Sequence, residues 1–382
     1  MNEAKMNVLI MSDSFLPVVG GRERAIDSLA KSLNKIANVT LAVPDIRIRG
    51  KKDEKKEYRV IKCKCLKVLK DCYLAVLNRK FKREIEGMFK RGEVDIIHTE
   101  TKFKLAGYAI KLSKKYGVPV ITSCHTDYEN IYKMTVPLFY KRVLKHTISI
   151  INKMECALPV SDYLNKKLAE FGVTVPTYTI PNGVDAILKT KEELINLANS
   201  TYNLKGTENV LICVARLSET KNIGFLIKCL AGLKSEYKMI FVGDGKINKY
   251  KELCANYGIL NKCLFTGNIY DKEIIYSLYA KAKLNIQPSK IESYGLTPDE
   301  ASQTGTPSLV LSGYAPSNRI QNDVNGFVAE ENEVSFAKKI DELLSDPKKL
   351  TRVGENAKNT LNNSWDKIAQ MHLALYKKIC SK

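Results

Sequence analysis

Apolar residues along this chain fall into short runs rich in β-branched side chains, separated by longer stretches where they recur every three or four positions. The first pattern predicts strands buried on both faces and the second amphipathic helices; their alternation predicts parallel β-α-β units. The predicted strands are Val8–Met11, Val39–Val43, Asp95–His98, Val118–Thr122, Ala157–Val160 and Thr177–Ile180. The first helix starts near Arg22 or Glu23 and runs to about Ser32 or Leu33. A turn-rich segment, Pro181-Asn182-Gly183-Val184-Asp185, interrupts the pattern. It restarts with Val210–Val214, Lys238–Val242, Cys263–Phe265, Leu284–Ile286, Ser308–Leu311 and Gly326–Val328, and Ser364–Ile379 reads as a closing helix. The expected architecture is α/β, with two Rossmann-like, doubly wound domains at residues 1–183 and 184–362. In such sheets ligands bind beyond the carboxyl ends of the strands, so chemistry is sought in the loops there.

Length and composition agree with two cores: 382 residues exceed one ordinary α/β domain, and 45% are hydrophobic. The apolar run near the N-terminus is too short for a signal-peptide core, and no run approaches the ~20 apolar residues of a membrane-spanning helix. Ten scattered cysteines without a CxxC pair argue against a zinc site or disulfide framework and fit a reducing cytoplasm. The net charge of +20 is lopsided: residues 1–183 carry 34 Lys and Arg against 19 Asp and Glu, the remainder 27 against 22. A basic half attracts anionic lipid, nucleic acid or phosphorylated ligand, or merely solvates its surface with lysine. No basic stretch is interleaved with aromatics or placed in a reading motif, so no nucleic-acid partner is expected.

Four places carry candidate chemistry. Gly20-Gly21 follows the first strand and precedes a helix, where bare backbone N–H groups receive an anion; an ordinary tight turn is the plain alternative. His125 ends the fourth strand, either over a ligand or as a hydrogen-bonded core histidine. Arg216 and Lys221 follow the first strand of the second half; a planar guanidinium and a compact ammonium suit a diphosphate, unless the loop is simply solvated. Glu292 and Glu300 are the most specific. Glu292 lies in a turn where a carboxylate accepts sugar hydroxyls, whereas Glu300 also fits a capping box with Thr297 as cap and Pro298 at the first helical position.

The order and spacing of these fragments resemble the family 4 retaining glycosyltransferases of GT-B fold. The resemblance spans nearly the whole chain. It includes Asp13-Ser14-Phe15-Leu16-Pro17 with Gly20-Gly21, Val242-Gly243-Asp244-Gly245, the Glu292-to-Glu300 spacing, Asn325-Gly326-Phe327 and the segment at Trp365. It implies two domains facing across a cleft, with residues 363–382 crossing back onto the first. It further implies that Gly20 and Gly21 face the donor diphosphate, which Arg216 and Lys221 neutralise. Glu292 would bind the transferred hexose beside the N–H groups of Gly295 and Leu296, Glu300 the ribose, and His125 the sugar on its acceptor side. No two aspartates stand two apart, so the DxD metal motif is absent; no metal or cofactor is expected. Retention would proceed by attack on the leaving-group side, the departing phosphate taking the acceptor proton. The loop Ser312–Asn318 departs from the family by lacking its Pro-Glu.

Two further features concern the acceptor. His98-Thr99-Glu100-Thr101-Lys102-Phe103 and His125-Thr126-Asp127-Tyr128-Glu129 are similar to stretches of bacterial diacylglycerol glucosyltransferases. Residues 47–70 are dense in cations, and Pro137–Lys145 reads as the start of an apolar, basic helix of the kind that lies in a membrane interface. Together these predict a UDP-sugar donor, glucose foremost, a lipid acceptor such as diacylglycerol, and peripheral attachment to the anionic inner face of the cell membrane. A polysaccharide or lipid-linked oligosaccharide acceptor is the alternative. A glycosidase would have no use for Arg216 and Lys221, and no pyridoxal-lysine motif marks a phosphorylase.

Overall fold

The computed structural model describes residues 5–381 apart from 19, 48–54, 70, 71, 205, 207 and 208. The chain forms two compact units, Met1–Gly183 with Asn363–Lys382, and Val184–Asn362.

The first unit holds strands β1 Asn7–Met11, β2 Asn38–Pro44, β3 Arg59–Leu69, β4 Cys72–Val76, β5 Ile96–Thr99, β6 Val120–Cys124 and β7 Ala157–Pro159. They make one sheet in the order β4-β3-β2-β1-β5-β6-β7, parallel except for β4. Alternation along β1 buries both of its faces. Val8 and Ile10 pack with the helix Gly21–Asn34, while Leu9 and Met11 pack with the helices Arg79–Lys90 and Lys104–Tyr116. The β3–β4 hairpin is an addition to the predicted strands, and Thr177–Ile180 is not a regular strand, although its Tyr178 and Ile180 N–H groups donate to the Ala157 and Pro159 carbonyls of β7. The closing helix, Trp365–Cys380, is capped by Ser364, whose hydroxyl accepts the Lys367 N–H, and it adds Trp365, Ile368 and Tyr376 to the same core as Val8. Gly183 sits against it so tightly that a Cβ would lie 2.7 Å from the Trp365 ring.

The second unit holds β8 Val210–Val214, β9 Lys238–Val242, β10 Cys263–Gly267, β11 Leu284–Gln287, β12 Ser308–Leu311 and β13 Phe327–Ala329. Their order is β10-β9-β8-β11-β12-β13, all parallel. Leu211 and Cys213 face the helices Ile223–Ala231 and Glu333–Leu344; Val210 and Ile212 face Lys191–Tyr202 and Lys272–Lys281. Strand order reverses between β1 and β5 in the first unit and between β8 and β11 in the second. Loops leaving adjacent strands part there, opening a crevice at the carboxyl ends.

Two local expectations need correction. Pro137 and Leu138 lie in a turn between the helices Tyr128–Thr135 and Tyr140–Ile151, so the basic helix begins three residues after Pro137. Thr297 is not a cap: it is the first residue of the helix Thr297–Ser302, its buried hydroxyl has no partner among the described residues, and no side chain caps the helix. Leu296 occupies the cap position, so the capping-box role for Glu300 falls away. Of the cation-dense stretch 47–70, residues 48–54 and 70 lie outside the described residues, and Arg59–Leu69 is strand β3.

Candidate functional site

In the first unit the residues leaving β1, β5 and β6 interlock. After β1, Asp13 accepts hydrogen bonds from the Thr101 hydroxyl at 2.8 Å and the Leu105 N–H at 3.1 Å, tying its loop to the start of the helix Lys104–Tyr116. Burial is the largest influence on Asp13 and raises its pKa despite these donors. The helix Gly21–Asn34 has Gly20 at its cap, and Glu23 folds back over this end, accepting from the Ser14 hydroxyl and Arg22 at 2.7 Å each. A Cβ on Gly20 would lie 2.4 Å from the Glu23 carboxylate, whereas one on Gly21 would meet nothing within 4 Å.

At the ends of β5 and β6 lies a largely buried polar cluster. His125 Nε2 donates to Glu100 Oε2 at 2.7 Å. His98 bonds Ser123 Oγ through Nε2 at 2.7 Å and the Tyr376 hydroxyl through Nδ1 at 2.6 Å, and its ring stacks on His372. Lys102, also buried, donates to the Ser123 carbonyl. Burial pushes His98 down to about 3, so it is neutral. Burial opposes ionisation of Glu100, but the surrounding imidazoles and the His125 N–H outweigh it and hold the carboxylate at about 2. Glu100, His125, His372, Asn182 and Trp365 line a small pocket within this unit.

In the second unit the switch point brings together one member of each predicted pair, Lys221 and Glu292. Lys221, after β8, donates to Glu292 Oε1 at 2.5 Å, and Gln287, the last residue of β11, donates to the same oxygen at 3.2 Å. Arg216 is exposed and has no ion pair among the described residues. Its loop is clamped by the Gly243-Asp244-Gly245 turn: the Leu217 N–H donates to the Asp244 carbonyl at 2.6 Å, and a Cβ on Gly243 would stand 2.0 Å from the Ala215 carbonyl. Gly295 has φ +76°, and a Cβ there would approach Pro316 at 2.8 Å and Gln287 at 2.9 Å. Arg319 fixes this turn. It donates to the Tyr294 and Gly295 carbonyls at 3.0 and 2.8 Å, grips both oxygens of the buried Asp299, and stacks over the Tyr294 ring at 3.8 Å. Glu300 accepts from the Tyr279 hydroxyl at 3.3 Å.

The chain matches two family models, Glycosyltransferase Family 4 over residues 19–187 and Glycosyl transferases group 1 over residues 198–360. It belongs to the family 4 glycosyltransferases. Alpha-monoglucosyldiacylglycerol synthase of Streptococcus pneumoniae is 26% identical over 84% of this chain and 74% of its own length. The protein of that name from Acholeplasma laidlawii is 20% identical over 92% of each chain. Among solved structures, Anabaena HepE in complex with UDP and glucose superposes with TM-score 0.78 at 18% identity, over 97% of this chain and 99% of that one, which establishes the GT-B fold.

This glycosyltransferase thus keeps Lys221, Glu292 and Gln287 in one hydrogen-bonded group, with Arg216 alone nearby in sequence and free of ion pairs among the described residues. Gly295 and Leu296 form the turn before the helix that carries Glu300. Gly20, Gly21 and His125 belong to the first unit. Sequence reasoning quoted His98 and Glu100 only within an acceptor-side resemblance; it missed their grouping with His125, His372 and Tyr376, and Asp299 with Arg319 around Gly295. Glu100 was detectable as the residue leaving β5, the strand beside the switch point. Arg319 lies 24 residues from Gly295 in a loop without regular pattern, so only the fold joins them.

Proposed function

We propose that this glycosyltransferase moves a hexose, glucose foremost, from a UDP-sugar to the hydroxyl of a membrane lipid such as diacylglycerol, with retention and without a metal. The observation that carries the lipid reading is the placement of exposed apolar side chains in the first unit. Leu66 and Leu74 pair across the β3–β4 hairpin, Phe103 follows β5, and Met134, Leu138 and Phe139 follow β6. The first two lie in the part of the hairpin that runs past the end of β2, the others follow the carboxyl ends of β5 and β6, and all are interspersed along the sequence with exposed Lys64, Lys67, Lys133, Lys141, Arg142 and Lys145. Apolar anchors ringed by cations suit an anionic bilayer surface, and no helix among the described residues is long and apolar enough to cross a membrane. The names of the two lipid-glucosylating relatives and HepE's binding of UDP and glucose support the same donor and acceptor.

In this reading the diphosphate gains negative charge as it departs, and Arg216 and Lys221 stabilise it more in the transition state than in the ground state. Glu292 holds Lys221 in place and offers its second carboxylate oxygen to the hexose hydroxyls. Attack comes from the leaving-group side: the acceptor oxygen bonds the anomeric carbon, the sugar–phosphate bond breaks, and the phosphate oxygen takes the acceptor proton. No side chain acts as nucleophile.

The test is nucleotide release in EDTA from a panel of UDP- and GDP-sugars, with and without diacylglycerol in anionic micelles. Lipid-dependent UDP release from UDP-glucose, giving the α-linked product and lost in Glu292→Ala, is the expected result. Release only with a saccharide acceptor would remove the lipid, GDP release from GDP-mannose would remove the donor, and dependence on added magnesium would remove the metal-free mechanism.

A further inference from the structure

We propose that Glu100 is the positioning residue of His125, holding it with the proton on Nε2 and so presenting Nδ1 to the pocket as an acceptor for a substrate hydroxyl. The inference rests on the reading of His125 as a substrate contact.

A carboxylate offers only lone pairs, so the 2.7 Å contact to Glu100 Oε2 places the hydrogen on His125 Nε2. In the neutral ring the other nitrogen is then left to accept. His125 Nδ1 is buried and has no partner among the described residues, and the side chain is only 10% exposed. A buried acceptor without a donor costs stability in a folded protein, and a ligand hydroxyl would satisfy it. The residue lines the small pocket with Ser123, Asn182 and Trp365 and with the apolar Leu29, Val160 and Ile368.

Glu100 is held in a way that a mere partner of convenience is not. Its own N–H donates to the Met11 carbonyl of β1 at 2.9 Å; its neighbour Thr101 is locked to Asp13, and Lys102 to the Ser123 carbonyl of β6. Three strands therefore fix one carboxylate. Its second oxygen has no donor within hydrogen-bond reach among the described residues, standing 3.5 Å from His98 Nε2, which bonds Ser123 instead. The titratable groups facing Glu100 are His98 from β5 with Lys102 just after it, Cys124 and His125 at the end of β6, and His372 and Tyr376 from the closing helix. His98 is kept neutral and pinned by Tyr376, so His125 is the one group that Glu100 orients directly.

The experiment combines spectroscopy and a double-mutant cycle. Long-range proton–nitrogen spectra of the wild type, with the His125 signals assigned by their loss in His125→Gln, are expected to show a protonated Nε2 and an unprotonated Nδ1 at neutral pH. Glu100→Gln is expected to lower kcat by roughly tenfold to a hundredfold, the range for removing a hydrogen-bond partner that orients a functional histidine. In a His125→Ala background the same change is expected to cost nothing further, because Glu100 acts through His125. A proton on Nδ1 in the wild type would overturn the proposal even if Glu100→Gln failed to fold. So would additive losses, which would make Glu100 a substrate contact or a purely structural group. Full activity in His125→Ala is a different failure, because it removes the underlying reading of His125 and the inference with it.

Discussion

Two glycines that look alike in the sequence do opposite jobs. Gly295 is demanded by the protein: φ is +76° and a Cβ would be within 3 Å of Pro316 and Gln287. Gly295→Ala is expected to cost more than about 1 kcal/mol of stability, measured by urea unfolding, because Ala is both strained and crowded there. Gly21 is not demanded: it starts a helix in ordinary conformation with open space around it. Gly21→Leu is therefore expected to keep the melting temperature while sharply raising the KM for the nucleotide sugar, since only a ligand needs that space. An unchanged KM would remove the diphosphate role assigned to Gly21. The sequence reading assigned both residues to the donor side, and nothing local distinguishes them. Arg319 is the same kind of case, because its partners Asp299, Tyr294 and Gly295 meet it only across the fold. With Asp299 wholly buried, Arg319→Met is expected to cost about 3–5 kcal/mol, the range for stranding a buried charge, read from the same unfolding curves.

At the level of elements, the apolar runs that became β1, β2 and β8 to β12 were legible because a strand buried on both faces has almost no polar residues to confuse the pattern. The β3–β4 hairpin was not. Its lysines alternate with cysteine and leucine at a sheet edge, and a run of cations dominated the reading. The same competition hid the turn at Pro137, where apolar and basic residues suggested a helix before Tyr140 actually starts one. That turn carries Leu138, 89% exposed, and Phe139, 62% exposed, an arrangement with no structural benefit in water. Leu138→Ser with Phe139→Ser is expected to abolish flotation of the protein with anionic vesicles at modest salt while leaving its melting temperature unchanged. Continued flotation of the double variant would move the docking surface elsewhere.

Across the whole molecule, charge and acid sensitivity are concentrated in one unit. Residues 1–183 and 363–382 carry 38 Lys and Arg against 20 Asp and Glu, leaving 23 against 21 for residues 184–362. The buried cluster beneath His125 adds an acid-labile element. His98 falls from an ordinary 6.5 to about 3 on folding, and Glu100 from 4.5 to about 2. In both, the unfolded chain binds protons that the folded one refuses. His98 therefore withdraws stability as pH falls from about 6.5 towards 3, and Glu100 as pH falls from about 4.5 towards 2. The melting transition of the first unit is expected to shift down already between pH 6.5 and 5, above the range of ordinary carboxylates, and His98→Gln to flatten that early limb. An early limb of unchanged size in the variant would exclude His98 as its source. The closing helix has a consequence for synthesis. The second unit is one uninterrupted stretch, whereas the first lacks Trp365, Ile368 and Tyr376 until the second has been made. Domains usually mature on the ribosome from the N-terminus onwards. Here the order is inverted: the first unit is completed only after the second, and its core lacks these side chains through the making of nearly two hundred further residues.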